Sequence, residues 1–198
     1  MIAVDIRNDA TDVRRVLAGY QRGADRVLLR TLNRVIPSVR ARAARDVAAE
    51  LGISQSVARR ALNIRNATLG RLTADLGADT KRIPLIAFKA RQTRAGVTYQ
   101  IGKAGRKLLP RAFINVGPKA GRAVLKRVRG DDAIGPGNAF SRGVGEHLVG
   151  RYPIFMKYGP SPAGIFIKDW VQKGLDETAR ERWRIELSAQ IKFFLSKQ

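Results

Sequence analysis

KRIPLIAFKARQTRAGVTYQIGKAGRKLLPRAFINVGPKAGRAVLKRVR runs from Lys81 to Arg129, within the segment Thr80–Gly130, and its reading decides the fold. No Asp or Glu occurs between Asp79 and Asp131. Fourteen cations do: Lys81, Arg82, Lys89, Arg91, Arg94, Lys103, Arg106, Lys107, Arg111, Lys119, Arg122, Lys126, Arg127 and Arg129. The stretch is nevertheless patterned for folding. Apolar residues alternate in four groups: Ile83, Leu85, Ile86, Phe88; Val97, Tyr99, Ile101; Phe113, Ile114, Val116; and Val124, Leu125, Val128. Alternation carried by β-branched and aromatic residues predicts strands. Gly96, Gly102, Gly105, Pro110, Gly117, Pro118 and Gly121 predict the turns between them. A strongly positive antiparallel β unit follows from these two patterns.

Helical periodicity flanks it on both sides. Val13, Val16, Leu17 and Tyr20 make one short stripe, capped from Asp9, Thr11 or Asp12, after a possible strand or arm at Met1–Ile6. Leu28, Leu32, Val35, Val39, Ala43 and Val47 make a longer one, in which Pro37 predicts a kink or break near Ile36 and Gly52 the end. A third helix, capped by Ser54 or Ser56, is expected over Val57–Leu62. Asn63–Asp79 is polar and mixed, and reads as loop or frayed helix. Beyond the β unit, Gly130–Glu146 is glycine-rich and reads as a flexible loop, and Arg151–Pro162 as extended chain with turns. Leu175, Ala179, Trp183, Leu187, Ile191, Phe194 and Leu195 then form a C-terminal amphipathic helix. Trp183, Leu187, Ile191, Phe194 and Leu195 are expected to serve core or subunit packing. The fold class expected is α+β in one domain: a mainly helical part at 1–79, the basic β unit at 80–130, a flexible loop at 131–150, and an extended segment with the C-terminal helix at 151–198.

A net charge of +22 is self-repelling, so the compact state is best served by a polyanion or an acidic partner surface. Nucleic acid is the first candidate. The absence of cysteine excludes disulfides and thiolate metal sites. His147 has no second histidine beside it, and a site with Asp131, Asp132 and Glu146 is a weaker reading than a plain loop histidine, so no metal or cofactor is expected. Neither paired carboxylates in the basic middle nor a nucleophile elbow nor a phosphate loop is present, and no enzyme is expected. Nothing at the start reads as a secretory signal, and no apolar run is long enough to span a membrane.

Ala44–Leu62 raises a separate possibility. A turn glycine at Gly52, then Ile53 and a capped basic helix, resemble a helix-turn-helix that presents Gln55, Arg59 and Arg60 to a major groove. The spacing asks for a buried aliphatic at Ala58, while Val57 falls one position early, about 100° away on a helix. An ordinary capped helical hairpin is the plainer reading.

Several segments, in order, resemble the phage minor tail protein Z family, the tail-completion proteins of long-tailed phages. RTLNRVIPSVRARAARDVAAELGISQSVARRAL (Arg30–Leu62) is similar to that family's Asn-Arg-Val helix and following basic helix. LPRAFINV (Leu109–Val116) and VLKRVRG (Val124–Gly130) resemble two of its strands, and RYPIFMKYGPSP (Arg151–Pro162) its Arg-Tyr-Pro-Ile segment. The chain departs in the longer insert Gly130–Glu146 and in lacking a solid arginine run before Arg94. The resemblance implies a non-enzymatic virion protein of the tail or neck, assembled in the host cytoplasm. It implies a homo-oligomeric ring acting where the tail meets the head, with other tail or neck proteins as partners, no membrane, and a role in placing the DNA end. On that reading DNA phosphates or an acidic partner would meet Arg91, Arg94, Lys103, Arg106, Lys107, Arg111, Lys119, Arg122, Lys126, Arg127 and Arg129. Backbone contact of this kind needs cations on ordered chain but no base reading.

Overall fold

The computed structural model describes residues 21–117, 121–127 and 154–196. The expected first helix around Val13–Tyr20, the Gly130–Glu146 loop, Lys119, Arg129 and His147 lie outside the described residues. The architecture is α+β, with long helices at the two ends of the described chain and antiparallel sheets between them. The chain divides into two compact units, each taken by itself below.

The first unit comprises Met1–Ala49, Ser54–Lys81 and Ser161–Gln198. Helix α1, Gln21–Leu51, lies in it up to Ala49. Ala24, Leu28, Thr31, Val35, Val39, Ala43 and Val47 recur every three or four residues and are all buried. That spacing keeps one face of a 3.6-residue helix apolar. Buried Thr31 satisfies its hydroxyl within the helix, donating to the Val27 carbonyl at 2.9 Å. Of the kink or break expected at Pro37, the break is absent: the helix is continuous through it. Proline removes one helical bond, at a cost of about 3 kcal/mol, but Pro37 is exposed while Val35, Ile36 and Val39 around it are buried. Packing of that face outweighs the local loss.

Helix α2 is short, Gln55–Arg60, with the Ser54 carbonyl accepting from Val57 and Ala58 N–H at 3.1 Å. Chain 63–79, expected as loop or frayed helix, is instead mostly a β-hairpin. Strand β1, Leu62–Arg65, pairs with β2, Asp75–Ala78, from Leu62↔Ala78 to Arg65↔Asp75. Leu62 and Leu76 are its buried residues, one per strand, too few to show as alternation in sequence. Asn33 of α1 fixes the far end of the hairpin. Its Nδ2 donates to the Ala67 carbonyl at 3.1 Å and its Oδ1 accepts the Ala67 N–H at 2.8 Å. Beyond that clamp, Thr68 and Arg71 exchange both backbone bonds at 2.9 Å.

A helical turn, α3 at Ala163–Phe166, precedes the C-terminal helix α4, Asp169–Leu195. Val171, Leu175, Ala179 and Trp183 form its buried stripe. Contacts with α1 run in opposite order along the two helices. A methyl group on Gly23 would overlap the Phe194 ring, Arg34 pairs with Glu186 at 3.6 Å, and the Arg42 guanidinium lies beside Gly174. The two helices are therefore antiparallel. The C-terminal end adds the Arg30 guanidinium over the Phe193 ring, 5.8 Å from its centroid.

The second unit comprises Glu50–Ile53 and Arg82–Pro160. Gly52, at φ 70°, stops α1 as expected. Gly102 donates to the Leu51 carbonyl at 2.9 Å, and any side chain at Gly102 would strike the Glu50 carbonyl. Two three-stranded antiparallel sheets follow. One has order β3-β4-β5, from Arg91–Thr93, Gly96–Tyr99 and Lys107–Pro110. The other has order β6-β7-β8, from Ala112–Gly117, Gly121–Arg127 and Ile154–Met156. Strand β6 lies against β3 and β4, and Gln92 links them by accepting the Ile114 N–H at 2.7 Å. The core of the unit includes Ile83, Leu85, Phe88, Val97, Ala112, Ala123 and Val124.

Two local expectations are corrected in this unit. Ile83–Phe88 is not a regular strand, although its apolar residues alternate. Ile83 N–H donates to Pro160 and Leu85 N–H to Lys157, after which Leu85–Ala87 closes a 3₁₀ turn. Pro110 is not a turn residue but the last residue of β5, paired with Gly96. A strand end tolerates proline because no ladder donor is required there.

A candidate polyanion-binding surface

Charge concentrates in the second unit. Its described cations are Arg82, Lys89, Arg91, Arg94, Lys103, Arg106, Lys107, Arg111, Arg122, Lys126, Arg127 and Lys157, and its one described carboxylate is Glu50. Arg91, Arg94, Lys103, Arg106, Lys107, Arg111, Arg122 and Arg127 are exposed, and Lys126 is half-buried. The expected contact residues that are described therefore belong to one folded unit, on strands and turns, rather than to a tail.

The β3-β4-β5 sheet sorts several of them to its two ends. Lys89 precedes β3, and Lys103, Arg106 and Lys107 lead into β5, where Lys107 pairs with Tyr99. At the other end Arg94 sits in the β3–β4 turn, and Arg111 follows β5 with its N–H donating to the Ala95 carbonyl at 3.4 Å. In the second sheet, Arg122 and Lys126 stand two register pairs either side of Val124 and share its face of β7, while Arg127 takes the other.

Arg106 has a structural task that sequence does not show. Its guanidinium donates to the Lys89 carbonyl at 2.6 Å. That bond pins a residue at φ 51°, in the left-handed region. Arg111 is left-handed too, at φ 59°. Such backbone costs a residue with a Cβ roughly 1–2 kcal/mol. The remaining left-handed residues described are the glycines Gly52, Gly96, Gly102 and Gly121.

The helix-turn-helix possibility meets a short second helix. Gln55, Arg59 and Arg60 are exposed and Ala58 is buried, as that pattern asks, but α2 has only six residues and gives way to β1 at Leu62. The Arg59 carbonyl at its end accepts from the Arg40 guanidinium at 2.7 Å. Of the C-terminal set, Trp183 is buried, Leu187, Ile191 and Phe194 are half-buried, and Leu195 is exposed. The Trp183 Nε1 is buried with no hydrogen-bond partner among the described residues.

Among the described residues no group of His, Asp and Glu is arranged to hold a metal ion, and no helix is long and apolar enough to cross a membrane. Burial raises the Tyr158 phenol above its usual range; its hydroxyl donates to Met156 Sδ at 3.3 Å.

The profile of the prophage minor tail protein Z family matches residues 10–197, nearly the whole chain. The chain belongs to the prophage minor tail protein Z family. Membership makes it a structural protein of a phage tail, not of a known enzyme family, with a place in the virion and other tail proteins as neighbours. Searches of curated proteins and of solved structures returned no match.

Proposed function

We propose that this minor tail protein completes the head-proximal end of the tail as a homo-oligomeric ring, and contacts DNA phosphates without reading sequence during head–tail joining. The observation that supports this most is the composition of the second unit: a folded β scaffold carrying exposed cations on strands and turns, with Glu50 its one described carboxylate. Ordered cations without base-reading groups suit a polyanion whose charge repeats regardless of sequence. A ring around a DNA path asks for the same property at its lumen.

The test is duplex binding measured at several salt concentrations with two unrelated sequences. Affinity is expected to fall steeply with salt and to differ little between sequences. Lys103→Glu with Lys107→Glu is the cleaner charge reversal, because Arg106 also holds the Lys89 carbonyl. The pair is expected to weaken binding to both duplexes and to flatten the salt dependence, and tails carrying it to join heads poorly. Binding that survives high salt, prefers one sequence and is lost in Arg59→Ala would replace this reading with base recognition by α2.

A further inference from the structure

Six described residues have left-handed backbone, and the chain treats them in two ways. Gly96 and Gly102 have no alternative, since a Cβ would strike the Leu109 and Glu50 carbonyls. Gly52 and Gly121 supply the same freedom of φ. At Lys89 and Arg111 the chain instead carries a long cation on backbone that glycine adopts without strain.

Neither side chain repays the fold. Both are exposed, and neither makes a hydrogen bond, ion pair or ring contact among the described residues. The backbone at each position is held from outside: the Lys89 carbonyl by Arg106, and the Arg111 N–H by Ala95. The two residues lie at opposite ends of the β3-β4-β5 sheet, each beside further exposed cations: Arg91 and Arg106 near Lys89, Arg94 near Arg111. Strained backbone held by its surroundings is a mark of functional positions.

We propose that Lys89 and Arg111 are dedicated phosphate contacts, kept at strained turns so that their cations project from both ends of one short sheet onto a phosphodiester backbone. The inference rests on the DNA-contact reading above and adds which residues make the contact. A helix-like spread of mobile lysines offers charge too. A cation on a pinned turn presents it with less freedom to lose on binding.

The experiment uses the full chain with Lys89→Gly and Arg111→Gly, singly and together, and a mixed-sequence duplex titrated across salt by fluorescence anisotropy. Each lost phosphate contact is expected to make the log–log salt slope shallower by about 0.9, so the double variant by roughly twice that. Melting temperature is expected to hold or rise, since glycine relieves the left-handed strain. Lys89→Arg with Arg111→Lys keeps both charges and is expected to keep the slope. Glycine variants that melt lower would show that the side chains serve the fold, and would overturn the proposal. So would a parental slope in the double variant. If tail incorporation nevertheless fails in that case, the contact is with an acidic protein instead. A parent chain that binds no duplex would sink the DNA-contact reading itself, and the two results are distinguishable.

Discussion

Asn33→Ala removes both arms of the clamp on Ala67. The lost bonds are the 3.1 Å donation to the Ala67 carbonyl and the 2.8 Å acceptance from its N–H. Ala67 is buried, so both backbone groups lose their partner where water reaches them poorly. Two net hydrogen bonds at about 1 kcal/mol each set a floor near 2 kcal/mol, and the unsatisfied groups raise it toward about 4 kcal/mol. Asn33→Asp separates the arms. A carboxylate still accepts from the N–H but cannot donate, and it faces the carbonyl oxygen, so about half the effect or more is expected. Urea unfolding gives the energies, and hydrogen exchange at the Ala67 amide reports the clamp directly. The hairpin is expected to lose protection before α1 and α4 do, because its two strands bury few side chains of their own. An Asn33→Ala chain within about 0.5 kcal/mol of the parent, with the Ala67 amide unchanged, would refute the reasoning.

Trp183→Ala is expected to cost about 3–5 kcal/mol, as for a large buried aromatic, whereas Trp183→Phe also removes a buried N–H without a partner and is expected to cost well under half of that. Thermal or urea unfolding of the two variants decides it; equal losses would mean that the indole N–H is satisfied in the folded protein. Burial holds the Tyr158 proton on to higher pH than in the unfolded chain. The resulting stability is present below the ordinary tyrosine range near pH ~10 and is lost as pH climbs through the raised folded value. Tyr158→Phe is therefore expected to flatten that alkaline limb in pH-dependent unfolding, and an unchanged limb would count against it.

The sequence was most informative where one element carries its own pattern. α4 declared itself through Leu175, Ala179 and Trp183 at helical spacing, and β6 and β7 through alternation about Phe113, Ile114, Val124 and Leu125. The β1–β2 hairpin was illegible because its hold comes from outside: Asn33 reaches Ala67 from 34 residues away, and Leu62 and Leu76 are its sole buried strand residues. Ile83–Phe88 misled for the converse reason. Its alternation is that of a strand, but its donors go to Pro160 and Lys157, and Phe88 turns into the core. Charge made the basic surface visible from composition alone. Composition does not distinguish Arg106, spent partly on the Lys89 carbonyl, from Lys103, nor reveal that Lys89 and Arg111 sit on left-handed backbone.

The longer segment of the second unit, Arg82–Pro160, enters and leaves by the same door. Near Arg82 and Pro160, Ile83 N–H donates to the Pro160 carbonyl at 3.3 Å and Gly159 N–H to the Ile83 carbonyl at 2.8 Å, with Pro84 bridged to Tyr158. Gly159 has no room for a side chain, because the Phe88 ring fills the space. Sequence added between these points lengthens a loop whose ends are already tied, and each doubling of a flexible loop costs only about 0.6 kcal/mol. The knot at Ile83 and Gly159 thus uncouples the length of the cationic segment from the helices on either side of it in sequence. Gly130–Glu146, which lies outside the described residues, falls between these two points in sequence. A change of length between Ile83 and Gly159 is therefore expected to leave that tie, and the helices outside it in sequence, unaltered.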